Sequence, residues 1–442
     1  MQKSVAINDQ HCGWSKLLSP RTYSNEATGT ITADWIIVGA GYTGLAAAYA
    51  FADKYPEQKI VIIDAQGAGE GASARNSGYL VDSTLNDGHL SDTGLSSYLE
   101  KYLLNKSGLD AVEYMVKKHN IKCDWSPIGK IHATTQKKNE SKLQSYSQTL
   151  TSLELPHRIL NRQELIARTG TSYYRSAVET EGAVMLQPAA LARGMIERLQ
   201  SNVSLYEFSP LVSWEKIFEA DGYSNIRVTT PKSEIKAKNI MFALNGYMAP
   251  NKIKNSRVFP LTLTASLTRP LTDTEFETIG SPKEWGILSA QAMGATVRLT
   301  SDRRIMIRNT AEVWPRMSMS EAELNTRKHL HVSGLIKRFP FLNAYDIDYT
   351  WSGVTCISKN NANIFQQLEN HVFAAGCYNG GGIGLGVLFG QEMPDFAAGE
   401  HSDNINKILN RPQPKLLPPQ PVLNWGISMK LAKDRYFAAD ER

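Results

Sequence analysis

Apolar residues gather in short unbroken runs near the start and end of the chain, with alternating stretches between them. Trp35 to Val38 and Lys59 to Ile63 have the make-up of strands buried on both faces. Leu45 to Ala52 lies between them, alanine-rich and without a breaker, so a strand–helix–strand unit is predicted. From Leu95 to His119, Leu99, Leu103, Leu109, Val112, Met115 and Val116 recur at roughly helical spacing. Ile128 to Thr135 reads as a strand, Asn139 to Leu150 as a surface helix and Ala189 to Leu199 as a further helix. Strand patterns follow at Val203 to Phe208, Leu211 to Trp214, Asn225 to Thr230, Ile235 to Leu244 and Leu261 to Thr268. Ala295 to Thr300 and Arg304 to Asn309 form a predicted hairpin across Ser301–Arg303. Ser320 opens a helix running to Arg338. Tyr349 to Ile357 and His371 to Ala375 are strands, and the second leads into a glycine cluster that starts a helix towards Ala398.

Chemistry first enters at the turn after Val38. Gly39, Gly41 and Gly44 fit G-x-G-x-x-G: a tight turn, a backbone open to a pyrophosphate, and close packing of helix on strand. The helix start offers free N–H groups and a partial positive charge to a phosphate. Asp64 ends the second strand 25 residues after Gly39, near the ~20-residue spacing at which a carboxylate reaches a ribose hydroxyl. An adenine dinucleotide is therefore expected here.

The 442 residues suggest two or three domains, and 42% apolar with 21% charged content is that of a globular protein. The net charge of +5 is spread along the chain, which gives nucleic-acid binding no support. Cys12, Cys123, Cys356 and Cys377 are widely separated, so neither a disulfide framework nor a metal site is expected. His89 and His132 are read as single structural histidines. The N-terminus lacks the apolar stretch of a signal peptide and no run spans a membrane, so a cytoplasmic location is expected. The proline-rich tail ends in a short, faintly amphipathic helix near Ile427 to Arg435, for which a weak membrane-surface contact is an expectation. Oligomeric state is not legible.

The βαβ-like pieces at start, middle and end imply a mixed α/β and α+β chain. A nucleotide domain (34–94, 176–254 and 346–404) would be assembled from discontinuous segments, with 95–175 and 255–345 forming a second domain. Residues 1–33 would be a surface arm anchored by Trp14 and Leu17–Leu18, and 405–442 a tail.

Four further blocks carry a resemblance. Gly71-Ala-Ser-Ala-Arg75-Asn76-Ser-Gly78 is a compact small-residue loop. Ala243-Leu-Asn245-Gly246-Tyr247 is followed by Pro260. Trp351-Ser-Gly353 lies on a strand, and Ala374-Ala-Gly376 runs through to Gly384. With the first motif, these resemble the D-amino-acid-oxidase-like (DAO) family of FAD-dependent oxidoreductases, and within it the gamma-glutamylputrescine-oxidase-like branch. The resemblance implies a Rossmann-like FAD domain of the glutathione-reductase type beside an antiparallel-sheet substrate domain. It implies non-covalent FAD held by Gly39, Ala40, Gly41, Tyr42, Thr43, Gly44, Asp64 and Ala65, and by Gly71, Ala72, Ser73, Arg75, Asn76, Ser77, Gly78, Tyr79 and Leu80. Val212, Ala243, Asn245, Gly246, Trp351, Gly353, Gly376, Asn379, Gly380, Gly381, Gly382, Ile383 and Gly384 complete that set. The family's Asp-Pro after the Trp-x-Gly strand is absent here, where Thr355-Cys-Ile-Ser stands instead.

The implied reaction oxidises the C–N bond of a small amine or amino acid, a gamma-glutamyl amine being one candidate. Hydride passes to flavin N5 and leaves an imine that water hydrolyses. Substrate contacts are expected from Arg308, whose fork suits a carboxylate, and from Tyr79, Trp351 and Tyr378. No catalytic acid or base is named. Two other classes stay open: a nicotinamide-linked dehydrogenase sharing the first motif, and a flavoprotein without catalytic activity.

Overall fold

A computed structural model describes residues 12–83, 85, 92–218 and 224–442; His89 lies outside them. The apolar runs become the centre of an eight-stranded sheet. Gly29–Val38 pairs in parallel with Ile60–Ile63 on one side and Ser233–Phe242 on the other. Val203–Tyr206 and Val372–Gly376 continue the sheet outward in parallel. Ile364–Glu369 and the pair Ser213–Phe218 and Ser224–Thr229 are added antiparallel. The helices Tyr42–Lys54, Asp92–Lys118 and Gly384–Gln391 cover one face of this sheet.

A second eight-stranded sheet follows the order Ile347–Ser358, Val258–Thr268, Ile305–Glu312, Thr296–Leu299, Trp285–Ser289, Lys130–Thr134, Ser176–Thr180, His157–Leu160. It is antiparallel except where Trp285–Ser289 meets Lys130–Thr134. The helix Glu321–Arg338 packs on it, its start fixed by a capping box between Ser320 and Glu323. Tyr79–Val81 and Ala183–Met185 form a short ribbon.

The sheets divide the chain differently from the expected boundaries. Gly29 to Ala33 belong to the first sheet, because the chain pairs with Ser233 to Ala237 before the apolar run begins. Ser176–Thr180 and Ile347–Ser358 join the second sheet, where their partners lie. The helix Asp92–Lys118, expected in the second domain, packs on the first through Leu104, Val112 and Met115, while Leu99 and Leu103 face outward. The tail helix is longer than expected, Val422–Phe437.

Trp14, expected as an anchor of the N-terminal arm, is 1% exposed and meets Trp351 edge to face at 6.0 Å, while residues 15–26 are exposed or half-buried. His132 accepts a hydrogen bond from the Leu85 amide at 3.2 Å and packs on Tyr146. Among the described residues no helix is long and apolar enough to cross a membrane.

Removing Trp14 would empty a closed site, so Trp14→Ala is expected to lower stability by about 3–5 kcal/mol, read from denaturant midpoints. A pH dependence follows from two imidazoles. Burial pushes His132 and His331 from 6.5 down to about 3. Between those values the unfolded chain binds protons that the folded protein excludes. Stability therefore falls as pH drops through that window, by up to about 1.4 kcal/mol per pH unit for each histidine. Melting temperatures against pH should show this slope, reduced in His331→Gln.

Candidate active site

A cavity of about 590 Å³ lies between the carboxyl ends of the parallel strands and the face of the second sheet. In open α/β sheets this crevice is where ligands sit. At one end the chain turns at Gly39, which has φ +107°. A Cβ there would come within 2.7 Å of the Ala243 carbonyl oxygen, so glycine is required. A Cβ on Gly44 would lie 1.9 Å from the Gly39 oxygen, which makes Gly44 the helix–strand packing glycine. Gly41 is the N-cap of Tyr42–Lys54 and has no side chain to cap it, and Ser73 Oγ accepts the Tyr42 amide at 2.9 Å. Asp64 stands across the turn. Its carboxylate accepts the Ala40 amide at 2.8 Å and the Gln66 amide at 2.9 Å, and burial raises it to about 6.

The Gly71–Gly78 loop forms the next wall, held in shape by its own side chains and by three distant segments. Arg75 donates to the carbonyls of Glu70 at 2.9 Å and Ser352 at 3.0 Å. Asn76 donates to Ser73 O at 2.7 Å and accepts the Gly78 amide at 2.7 Å. Behind the loop, Trp14 Nε1 donates to Asn76 O at 2.9 Å and Trp351 Nε1 to Arg75 O at 3.1 Å. Arg298 lies over the Trp14 ring and donates to Ser77 O at 2.8 Å and Gly78 O at 3.2 Å. Arg75 and Asn76 thus line the cavity while their polar heads shape the loop.

The third wall is the turn after Val372–Gly376. Cys377, Asn379 and Gly380 all have positive φ. Asn245 accepts the Cys377 amide at 3.1 Å, and Asn379 accepts the Ser358 amide at 2.9 Å. A Cβ on Gly380 would meet nothing within 4 Å, and Gly381, Gly382 and Ile383 continue the lining. Tyr378 packs beneath, its hydroxyl 2.7 Å from Thr43 Oγ1.

At the far end Leu261, Leu263, Thr264 and Ala265 form the floor, with Arg308 beside them. Arg308 donates to Thr296 Oγ1 at 2.6 Å, and burial lowers its pKa. Among the described residues no carboxylate forms an ion pair with it. Tyr79 lines the cavity with its ring, while its hydroxyl lies 2.9 Å from Gly286 O and 3.1 Å from Gly129 O. Burial pushes the phenols of Tyr79 and Tyr378 upward, so neither titrates near neutrality.

Most of the expected residues line this cavity, including Thr43, Ala65, Ala72, Ser73, Ser77, Ala243, Gly246 and Gly353. Ala40, Gly44, Gly78, Leu80, Val212, Trp351, Gly376 and Gly384 do not. Trp351, expected at the substrate, is not among the lining residues and packs edge to face on Trp14. The Val212 amide bonds to Thr229 O, and Ser209 and Leu211 face the cavity instead. Leu80 packs on the helical core, and Gly376 and Gly384 allow close approach of Met248 and of Gly108. Lining residues that sequence reasoning missed include Gln66, Lys101, Asn105, Met293 and Thr296. Strand alternation marked Leu261 to Thr268 as two-faced but did not say which face the cavity takes.

The cavity's parts fit FAD. A glycine turn and Asp64 stand at one end, glycine-lined walls run alongside, and the floor ends at Arg308, which meets no carboxylate among the described residues. Comparisons with known proteins agree. A family described as FAD dependent oxidoreductase matches residues 34–395. Gamma-glutamylputrescine oxidoreductase of Escherichia coli K12 is 24% identical, over 87% of each chain. The fold is shared with glycine oxidase from Geobacillus kaustophilus (TM-score 0.67, 16% identity, 84% of this chain and 96% of that one). It is also shared with L-alpha-glycerophosphate oxidase from Mycoplasma pneumoniae with FAD bound (TM-score 0.66, 15% identity, 86% and 99%). With a match over most of its length and a cavity of this composition, the chain belongs to the DAO family of FAD-dependent oxidoreductases, and FAD is its cofactor.

Proposed function

We propose that this protein oxidises the C–N bond of a small amine or amino acid bearing a carboxylate. Arg308 is the observation that carries this reading. A half-buried guanidinium at the cavity's far end, bonded to Thr296 and without an anionic partner among the described residues, favours a ligand that brings a carboxylate. A gamma-glutamyl amine has such a group, in keeping with the E. coli relative's name, and so do simple amino acids.

The family motifs and the lining support a division of the cavity. Gly39 to Gly44 and Asp64 would hold the adenosine and pyrophosphate half. Asn76, Ser77, Gly353 and Gly380 to Ile383 would lie along the ring system. FAD would be non-covalent: on the strand whose Thr355 and Ile357 line the cavity, Cys356 is buried in the core and does not line it. Bound FAD supplies the two-electron acceptor that takes hydride from the carbon bearing the nitrogen. Arg308 would orient the substrate through its carboxylate, and the apolar floor would exclude water. No titrating base is required of the lining. Family membership disfavours a purely nicotinamide-linked dehydrogenase, and an Arg308 that opens on the cavity without a carboxylate partner among the described residues disfavours a flavoprotein that has lost its substrate pocket.

Anaerobic mixing of the holoenzyme with amines, amino acids and gamma-glutamyl amines should bleach the flavin with at least one carboxylate-bearing donor. If none reduces it, the proposal fails. Arg308→Gln should raise KM for that donor by on the order of a hundredfold, with retained FAD. Gly41→Ala should weaken FAD retention by at least about tenfold, because the second glycine of the turn admits the pyrophosphate. The apoprotein should meanwhile melt within a few degrees of the unaltered chain.

A further inference from the structure

The tail helix Val422–Phe437 carries an apolar stripe that the fold leaves uncovered. Val422, Trp425, Met429 and Tyr436 are each more than half exposed. With Ala432 they follow three–four spacing and fall within an arc of about 80° on one helix face. Leu431 is buried on the opposite side. Asp434 also faces back, paired with Lys430 at 2.6 Å.

This helix is not a frayed end. Before it, Leu417 donates to Ser256 O at 2.8 Å and Arg257 to Pro414 O at 2.7 Å. After it, Glu441 is buried and accepts from Thr134, Ser289 and Asn139, while Arg338 donates to its carbonyl at 3.0 Å. The stripe is therefore held out to solvent by a helix fixed at both ends.

Charge indicates what covers it. Lys433 and Arg435 fall about 80° to either side of Trp425, and no acidic residue lies on either flank. An apolar stripe with an aromatic at its centre and a basic residue on each border is the composition of a helix lying in a lipid interface. There the cationic heads reach anionic headgroups. A second copy of the helix offers no acidic flank to receive these cations.

We infer that the Val422–Phe437 helix docks this protein on anionic lipid bilayers, with Val422, Trp425, Met429 and Tyr436 in the interface and Lys433 and Arg435 at the headgroups.

Flotation of the full-length holoenzyme with vesicles of phosphatidylcholine alone, or with one third phosphatidylglycerol, tests this. The protein should float with the anionic vesicles and much less with the neutral ones, and added salt should weaken the association. Trp425→Ser/Met429→Ser should abolish flotation. Lys433→Gln/Arg435→Gln should weaken it by more than about tenfold. Both variants alter exposed or half-exposed positions, so flavin content and melting temperature should be unchanged and would expose any misfolding. No flotation with anionic vesicles, equal flotation of the Trp425/Met429 variant, or indifference to lipid charge would overturn the proposal. So would a dimer in light scattering that the Trp425/Met429 variant dissolves, since a second copy would then be the occupant.

Discussion

The grip on the Gly71–Gly78 loop is the constraint on which the rest of the structure depends. Four consecutive carbonyls, from Arg75 to Gly78, are taken by donors from the N-terminal segment and two strands of the second sheet. Arg75 returns the contact by donating to Ser352 O. The two sheets, distant in sequence, are thereby joined through the loop that walls the cavity. Buried carbonyls without donors would each be costly, so this loop conformation depends on Trp14, Trp351 and Arg298 all being in place.

That grip also explains a division of labour among the arginines. Arg298 and Arg308 lie on neighbouring strands and both are desolvated. Arg298 gives one guanidinium nitrogen to the carbonyls of Ser77, Gly78 and Leu186 and lies over the Trp14 ring, so it builds the site. Arg308 bonds to Thr296, meets no carboxylate among the described residues and opens on the cavity, so it is available to a ligand. The fold alone does not choose the substrate. One solved protein of this fold is named for glycine and another for glycerophosphate.

What could be read in the sequence was local. The glycine turn at Gly39 to Gly44, Asp64 and the cluster at Gly380 announce themselves because each needs its residue types within a few positions. The parallel strands could be read because burial on both faces leaves unbroken apolar runs. Contacts across long separations could not. Trp14 looked like an anchor on a surface arm, since nothing in its neighbourhood names Trp351 as its partner. Trp351 looked like a pocket wall because strand alternation defines two faces without identifying them. The short strand His157–Leu160 carries two charged or polar residues in four and gives no periodic signal. It is a strand because Ser176–Thr180 pairs with it.

The central claim is that the cavity holds FAD with a carboxylate site, built on Arg308, next to the flavin. Titrating the holoenzyme with a non-oxidisable carboxylate such as acetate, while recording the flavin's visible spectrum, tests it most directly. The account predicts a saturable spectral change that disappears in Arg308→Gln with FAD still bound. A spectrum that never responds, or one that responds equally in the variant, would contradict it.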